Sequence, residues 1–382
     1  MTDDLLTRAV SKVIPADLAK AKLASGEKLR IYLGIDPTGT KLHLGHAVPL
    51  RKLQAFADSG HHVIFLVGSF TAMIGDPSGR DDERGALTRE QVQKNFETYR
   101  EQASKVLDFK KVEIRYNHEW LQKLTQEELL KIASCFTKQQ MDQRDMFERR
   151  EKEGNPIHLH EMLYPLYVGY DSVMLDVDCE IGGNDQEFNL LAGRTLQKAF
   201  GKREKFILTT KLIDGTDGRK MGKTYDNCIY LTDSANDMFG KLMSVNDDLM
   251  ETYFECCTNV DLSEVKKIVK GNPREAKARL AREIVALYHG ADAAEKAEAA
   301  FTNVFTGKGI PEDIKEVKVK KGTLLVDVLV KEGLVSSKSE AKRLIEQKGI
   351  KVNDVLVESM EEKVTEGVVR VGKRKFLRIA IT

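Results

Sequence analysis

Short apolar runs alternate with longer helical patterns through the first half of the chain, and that alternation constrains the fold more than any other feature. Arg30–Ile35 (RIYLGI), His62–Val67, Val112–Tyr116, Val173–Val177 and Phe206–Leu208 each have the length and composition of a buried strand. Between them, Thr88-Arg89-Glu90-Gln91 matches a capping box that opens a helix running to Leu107, and the stretch from Leu121 to Lys152 is helical and strongly charged. Strand and helix in alternation predict an α/β fold, a doubly wound parallel sheet with ligands at the carboxyl ends of its strands.

The rest of the chain follows other patterns. Residues 1–29 read as one or two amphipathic helices. From Ser234 to about Thr306 no strand pattern occurs and Ala, Glu and Lys dominate, so a helical domain is expected. Gly307-Lys308-Gly309-Ile310-Pro311 reads as a linker. Beyond it come a helix at Thr323–Leu329, a capping box at Ser337-Lys338-Ser339-Glu340 opening a second helix, and a turn and strand at Gly349–Asn353. The expected domains are 1–225, 226–312 and 318–382, the last a small α+β unit.

Composition narrows the function. At 382 residues, with 31% charged and 41% hydrophobic side chains, the chain has the make-up of an ordinary globular protein of two or three domains. The longest apolar stretch, Val63–Gly75, is interrupted by Ser69 and Thr71 and is too short to cross a bilayer. The opening residues carry acids where a targeting peptide carries bases, so a cytoplasmic location is expected. Five cysteines without a Cys-x-x-Cys spacing read as free buried thiols. His158-x-His160 near Glu161 lacks a third ligand at a sensible spacing, and no protein-bound metal or organic cofactor is expected. From Lys315 to Thr382 the chain holds 16 Lys and Arg against 10 Asp and Glu, a net of +6, whereas the remainder carries −5. A basic end on an acidic body suggests a polyanionic partner, and RNA, not DNA, is expected.

Four constellations carry chemistry. In Tyr32–His46 (YLGIDPTGTKLHLGH) a strand breaks at Asp36-Pro37-Thr38-Gly39 before a helix; Gly34 leaves room for a ligand to approach the backbone, and His43 and His46 stand near the helix start, where imidazoles can donate to phosphate oxygens. In Asp217–Thr224 (DGRKMGKT), Lys220 and Lys223 lie on a glycine-bearing loop and can reach a triphosphate together. Tyr164, Val168 and Asp171 are spaced i, i+4 and i+7, one helix face, able to bind both ends of a small zwitterion. Gly182-Gly183-Asn184-Asp185-Gln186 is a glycine-rich loop at a helix start.

His43-Leu44-Gly45-His46 and Lys220-Met221-Gly222-Lys223 resemble the two signatures of class I aminoacyl-tRNA synthetases, with a Rossmann-like catalytic fold. Tyr32-x-Gly34-x-Asp36-Pro37-Thr38 and the Tyr164–Asp171 face resemble the tyrosyl-tRNA synthetase family, and the basic tail resembles the alpha-L RNA-binding module. The resemblance implies that tyrosine is activated with ATP, magnesium arriving with the nucleotide, and then transferred to its tRNA. It implies catalytic roles for His43, His46, Thr38, Lys220 and Lys223, with Arg80 and Arg84 gripping the leaving pyrophosphate. It gives Gly34, Asp36, Gly183 and Asp185 to ATP. It gives Asp76, Tyr164 and Gln186 to the amino-acid end of tyrosine, and Tyr32 and Asp171 to its phenol, Asp171 accepting from the hydroxyl and Tyr32 donating to it. Lys338, Lys342, Arg343 and Lys348 would contact RNA, and the family forms homodimers. One departure stands out: the family usually has glutamine at the position of Val168. The rival readings are the tryptophanyl sister family and an RNA-binding paralogue whose active site has lapsed.

Overall fold

A computed structural model describes residues 2–77, 87–142, 145–222, 225–305, 314–353, 355–372 and 375–381. The chain divides into two compact units, one of Met1–Ser234 with Lys241–Gly290, the other of Ala235–Gly240 with Ala291–Thr382. Among the described residues no helix is long and apolar enough to cross a membrane.

In the first unit six strands form one sheet: β1 (Val10–Ile14), β2 (Arg30–Ile35), β3 (His62–Val67), β4 (Val112–Tyr116), β5 (Cys179–Gly183) and β6 (Phe206–Thr210), in the order β1-β6-β5-β2-β3-β4. All neighbours are parallel except β1, which runs antiparallel along β6 at the edge. The winding reverses between β2 and β5, the place where an α/β sheet opens a crevice at its carboxyl edge. Helices cover both faces, so Ile31, Val63, Ile64, Phe65 and Ile207 are wholly buried and the central strands read as unbroken apolar runs. The predicted capping box is present: Thr88 Oγ1 accepts from Gln91 N–H at 3.2 Å, and Thr88 N–H donates to Gln91 Oε1 at 2.8 Å.

Two expectations are corrected. Val173–Val177 is not a strand; the helix Leu159–Leu175 continues through it and ends at Asp176, which takes a left-handed conformation (φ 46°). Val173 and Leu175 are buried on that helix, and a short apolar run does not distinguish a helix's last turn from a strand. The strand is Cys179–Gly183 instead, disguised by the charge of Glu180 at its centre and by Gly182-Gly183, which end the strand rather than form a loop. Residues 1–29 hold the helices Thr2–Thr7 and Ala16–Ala24 with β1 between them, a strand too short and too mixed in burial to announce itself.

The helices Leu159–Leu175 and Glu187–Ala199 cross at two glycines. A Cβ on Gly169 would stand 3.0 Å from Leu196 Cδ1 and 3.1 Å from the backbone of Ala192 and Gly193. On Gly193 it would stand 2.4 Å from Ser172 Oγ and 2.5 Å from Lys205 Nζ. The approach brings Ser172 to the buried Glu180 and Lys205 behind Tyr32.

In the second unit β7 (Glu316–Val319), β8 (Ile350–Val352), β9 (Val355–Leu356), β10 (Gly367–Val371) and β11 (Lys375–Ile381) form a sheet in the order β7-β11-β10-β8-β9. The helices Leu325–Lys331 and Lys338–Glu346 pack on it through Leu325, Leu329, Ile345, Ile350, Val369 and Leu377. Ser337 caps the second helix by accepting from Glu340 N–H at 3.2 Å, but the Glu340 carboxylate returns to Ser336, accepting from its N–H and hydroxyl at 2.6 Å each.

Gly193→Ala should lower stability by about 1–3 kcal/mol, the usual cost of overpacking. Urea unfolding measures this; unchanged stability would mean that the crossing is looser than its geometry.

Candidate active site

The site assembles at the carboxyl ends of β2, β3, β4 and β5. Just past β2, Asp36 accepts from Thr71 Oγ1 at 2.7 Å and from the Tyr164 hydroxyl at 3.0 Å. Thr71 in turn accepts from Asn117 Nδ2 at 3.0 Å, and the same amide donates to Asp171 Oδ2 at 3.1 Å. Because Tyr164 and Asp171 share the helix Leu159–Leu175, these bonds close a ring: helix, β2 end, β3 end, β4 end and back to the helix. Gly68 makes room for it, since a Cβ there would stand 1.8 Å from Asp36 Oδ1. Trp120 Nε1 donates to the other Asp171 oxygen at 2.7 Å.

Tyr32 lies 1% exposed below this ring, with its hydroxyl 2.9 Å from Ser172 Oγ. Burial, then the charges of Glu180 and Asp171, push its phenol well above the usual range. Burial also raises the Asp171 carboxyl well above the carboxylate range, against the donors Asn117 and Trp120. The Tyr164 phenol is raised by burial and by Asp36 and Asp76. Gln186 Nε2 donates to Asp76 Oδ2 at 2.8 Å and Gln186 Oε1 accepts from Asn189 Nδ2 at 2.8 Å, holding the glycine-rich segment to the loop after β3. Asp185 is raised by burial and by Asp76, with Lys220 opposing. Gly183 leaves its place to the Asp185 carboxylate, which a Cβ would meet at 2.6 Å. The side chains Tyr32, Asp36, Asp76, Tyr164, Asp171, Asp185 and Gln186 thus converge on one crevice that is rich in carboxylates. Val168 is half-buried and Gly34 is exposed.

His43 precedes the helix Leu44–Asp58, and His46 Nδ1 accepts from the His43 N–H at 3.2 Å. Their ring centroids lie 3.8 Å apart, with the ring planes tilted by 44°. Gly45 keeps the first ring in place, because a Cβ there would stand 3.0 Å from it and 3.8 Å from Met221 Sδ. The two sequence signatures therefore meet. They are stitched further by Leu44 N–H donating to Ile229 O at 3.0 Å and Leu231 N–H to Leu42 O at 2.9 Å. Thr38 N–H donates to Asp36 O at 2.8 Å in the intervening loop.

Asn227 organises the second signature. Its Nδ2 donates to Asp217 Oδ1 at 2.8 Å and to Lys220 O at 3.2 Å, and its Oδ1 accepts from Gly222 N–H at 2.9 Å. Gly215 is required beneath it, as a Cβ would stand 2.2 Å from the amide. Bonds from Asn227 and then Arg219 pull the Asp217 carboxyl down to about 2. Arg219 lies 4.4 Å over the Tyr225 ring.

Arg80, Arg84 and Lys223 lie outside the described residues. Lys338, Lys342, Arg343 and Lys348 are all exposed in the second unit, as a polyanion contact requires; Lys338 also pairs with Asp327 at 2.6 Å. Sequence reasoning missed Thr71, Asn117, Trp120, Ser172, Glu180, Lys205 and Asn227. Trp120 alone offered a signal, as the chain's one tryptophan.

A family model described as tRNA synthetases class I (W and Y) matches residues 24–306, and one for the S4 domain matches residues 324–369. The tyrosine–tRNA ligase of Thermotoga maritima is 44% identical over 386 residues, covering 98% of this chain and 96% of its own. That of Bordetella pertussis is 47% identical over 388 residues, covering 99% and 94%. Among solved structures, a C-terminally truncated mitochondrial tyrosyl-tRNA synthetase of Aspergillus nidulans superposes with a TM-score of 0.66 at 24% identity, over 78% of this chain and 91% of that one.

Asn227→Ala should expose the second-signature loop, giving trypsin cleavage after Arg219 or Lys220 several-fold faster than in the parent chain. Limited proteolysis followed by mass spectrometry measures it, and an unchanged cleavage rate would remove Asn227 from this role.

Proposed function

The chain belongs to the class I tRNA synthetases for tryptophan and tyrosine, and within them to the tyrosine–tRNA ligases, and from that membership we propose how its own residues divide the work. The enzyme joins tyrosine to ATP with loss of pyrophosphate and passes the tyrosyl group to tRNA. The observation that carries the assignment of residues is their convergence: both signatures, joined at Gly45 and Met221, stand beside a carboxylate-lined crevice that ends in the Tyr32 and Asp171 pair.

The tyrosine ammonium is held by Asp76 and Tyr164, with Gln186 orienting Asp76. Val168 cannot supply the usual glutamine bond, and Asp36, already bonded to Tyr164, adds negative charge at the same end. The phenol lies between Tyr32 and Asp171, so phenylalanine would leave buried polar groups unpaired. Gly34, Gly183, Asp36 and Asp185 receive the nucleotide, Asp185 on its ribose. In the first step the tyrosine carboxylate attacks the α-phosphorus in line and the pyrophosphate leaves with its magnesium. The protein positions the reactants and neutralises the growing charge through His43, His46, Thr38, Lys220, Lys223, Arg80 and Arg84, with no covalent bond to the enzyme. A hydroxyl of the terminal adenosine of the tRNA then takes the tyrosyl group. Residues 1–225 serve as the catalytic domain and 226–312 as an anticodon-binding domain. Residues 318–382 grip RNA through Lys338, Lys342, Arg343 and Lys348. The enzyme works as a cytoplasmic homodimer.

Exchange of labelled pyrophosphate into ATP tests the assignment. Tyrosine alone should support it in the parent chain; exchange with tryptophan would move the chain to the sister activity, and none at all to a lapsed paralogue. Lys220→Ala should slow exchange about a hundredfold or more with tyrosine affinity nearly unchanged, and a large affinity loss would show that the loop is misassigned. Asp171→Ala should erase the preference for tyrosine over phenylalanine, and retained preference would remove Asp171 from the phenol site.

A further inference from the structure

The second signature stands on a tight hairpin. Asp214 pairs with Lys220 as an isolated antiparallel bridge, Gly215 N–H donates to Arg219 O at 2.7 Å, and Gly218, with φ 81°, turns the chain between them. Asn227 is one support of this hairpin. Tyr253 is another, its hydroxyl 2.6 Å from the Asp214 carbonyl oxygen. A carbonyl only accepts, so the phenol donates. Tyr253 is wholly buried, and burial, followed by Cys257 and Asp214, pushes its phenol far above the ordinary value. It rides on the helix Met250–Cys257, which lies in the first compact unit although its place in the chain falls within 226–312. The carbonyl end of that helix is pinned twice. Arg8 donates to Phe254 O at 3.3 Å, Glu255 O at 3.1 Å and Thr258 O at 2.8 Å. Arg51 donates to Thr258 O at 2.9 Å and to Asn259 Oδ1 at 2.6 Å. Arg51 belongs to the helix Leu44–Asp58, which opens at His43.

We propose that the helix Met250–Cys257 is a bracket that fixes the spacing between the two signatures, with Tyr253 the positioning residue at the lysine end and Arg51 at the histidine end. The proposal rests on the reading that gives His43, His46 and Lys220 to the triphosphate. These groups stand on separate elements far apart in the chain, yet they must neutralise one leaving group together. The packing of Gly45 near Met221 is non-directional and sets no heading for the loop. The bond from Tyr253 is directional and reaches main chain at the residue paired with Lys220. Tyr253 and Arg51 act through the backbone that carries the reacting groups. Charge on the pyrophosphate grows only toward the transition state, so a displaced lysine costs rate rather than tyrosine binding.

The test separates kcat from KM in pyrophosphate exchange, with urea midpoints showing that each variant is folded at the assay temperature. Tyr253→Phe removes one hydroxyl and should lower kcat about tenfold with KM for tyrosine unchanged. Arg51→Met leaves Thr258 O bonded to Arg8, so the helix stays capped, and it should give the same split; it carries the test alone if Tyr253→Phe does not fold. In a Lys220→Ala background, where the group to be positioned is gone, either substitution should change the residual rate by less than about twofold. Tyr288→Phe is the control: its hydroxyl is buried on the helix Pro273–His289 and bonds nothing among the described residues, and its loss should leave kcat unchanged. An unchanged kcat in either folded variant, an equal fall in Tyr288→Phe, or full additivity with Lys220→Ala overturns the proposal. Failure of the underlying reading shows separately: Lys220→Ala alone would then exchange at the parent rate.

Discussion

The hydrogen-bonded ring through Tyr164, Asp36, Thr71, Asn117 and Asp171 is the constraint on which the rest of the site depends. Each strand of a parallel sheet ends in a loop that is free to wander unless something ties it down, and here one helix face ties three of them. The donors and acceptors run in a consistent sense: Tyr164 and Thr71 both donate to Asp36, and Asn117 donates to Thr71 and Asp171. A neutral–neutral bond contributes about 1 kcal/mol and one to a charged group about 1.5–3 kcal/mol, so no single member holds the arrangement. Closure does. Removing one group leaves the others buried with a partner missing, which costs more than the bond itself.

The carboxylates of this crevice have a second consequence. Asp171 and Asp185 are both shifted upward by burial, so each is held in a form less stable than it would be in water. A cation brought near either carboxylate relieves that cost, as Lys220 already does in part for Asp185. The buried Lys205–Glu180 pair differs: its charges are already matched, and deleting one of them alone would cost about 3–5 kcal/mol.

How much of this was legible in the sequence follows from the range of each interaction. Local signals gave the parallel sheet, the capping box at Thr88 and the histidine pair at a helix start, because spacing along the chain encodes them. The face carrying Tyr164 and Asp171 was legible for the same reason. What could not be read were partners fixed by tertiary approach: Ser172 meets Tyr32 across 140 positions, and Asn117 meets Asp171 across 54. The strand wrongly placed at Val173–Val177 shows the converse, since buried Val173, Leu175 and Val177 alternate with the exposed Met174 and the half-buried Asp176, and a helix's last turn running into its cap then repeats every second residue as a strand does. Glu180 hid the true strand because a charge in a sheet centre is unexpected until its lysine is seen.

The glycine crossing of the helices Leu159–Leu175 and Glu187–Ala199 fixes more than an angle. Because Gly169 brings its helix against the backbone of Ala192 and Gly193, the width of the pocket floor is set by main chain, which does not repack, rather than by side chains, which do. Substitutions among the lining residues therefore change what the pocket recognises without changing its gauge. A chain with this floor can be altered in selectivity by small steps, while accepting a substantially larger substrate would require the helices themselves to part.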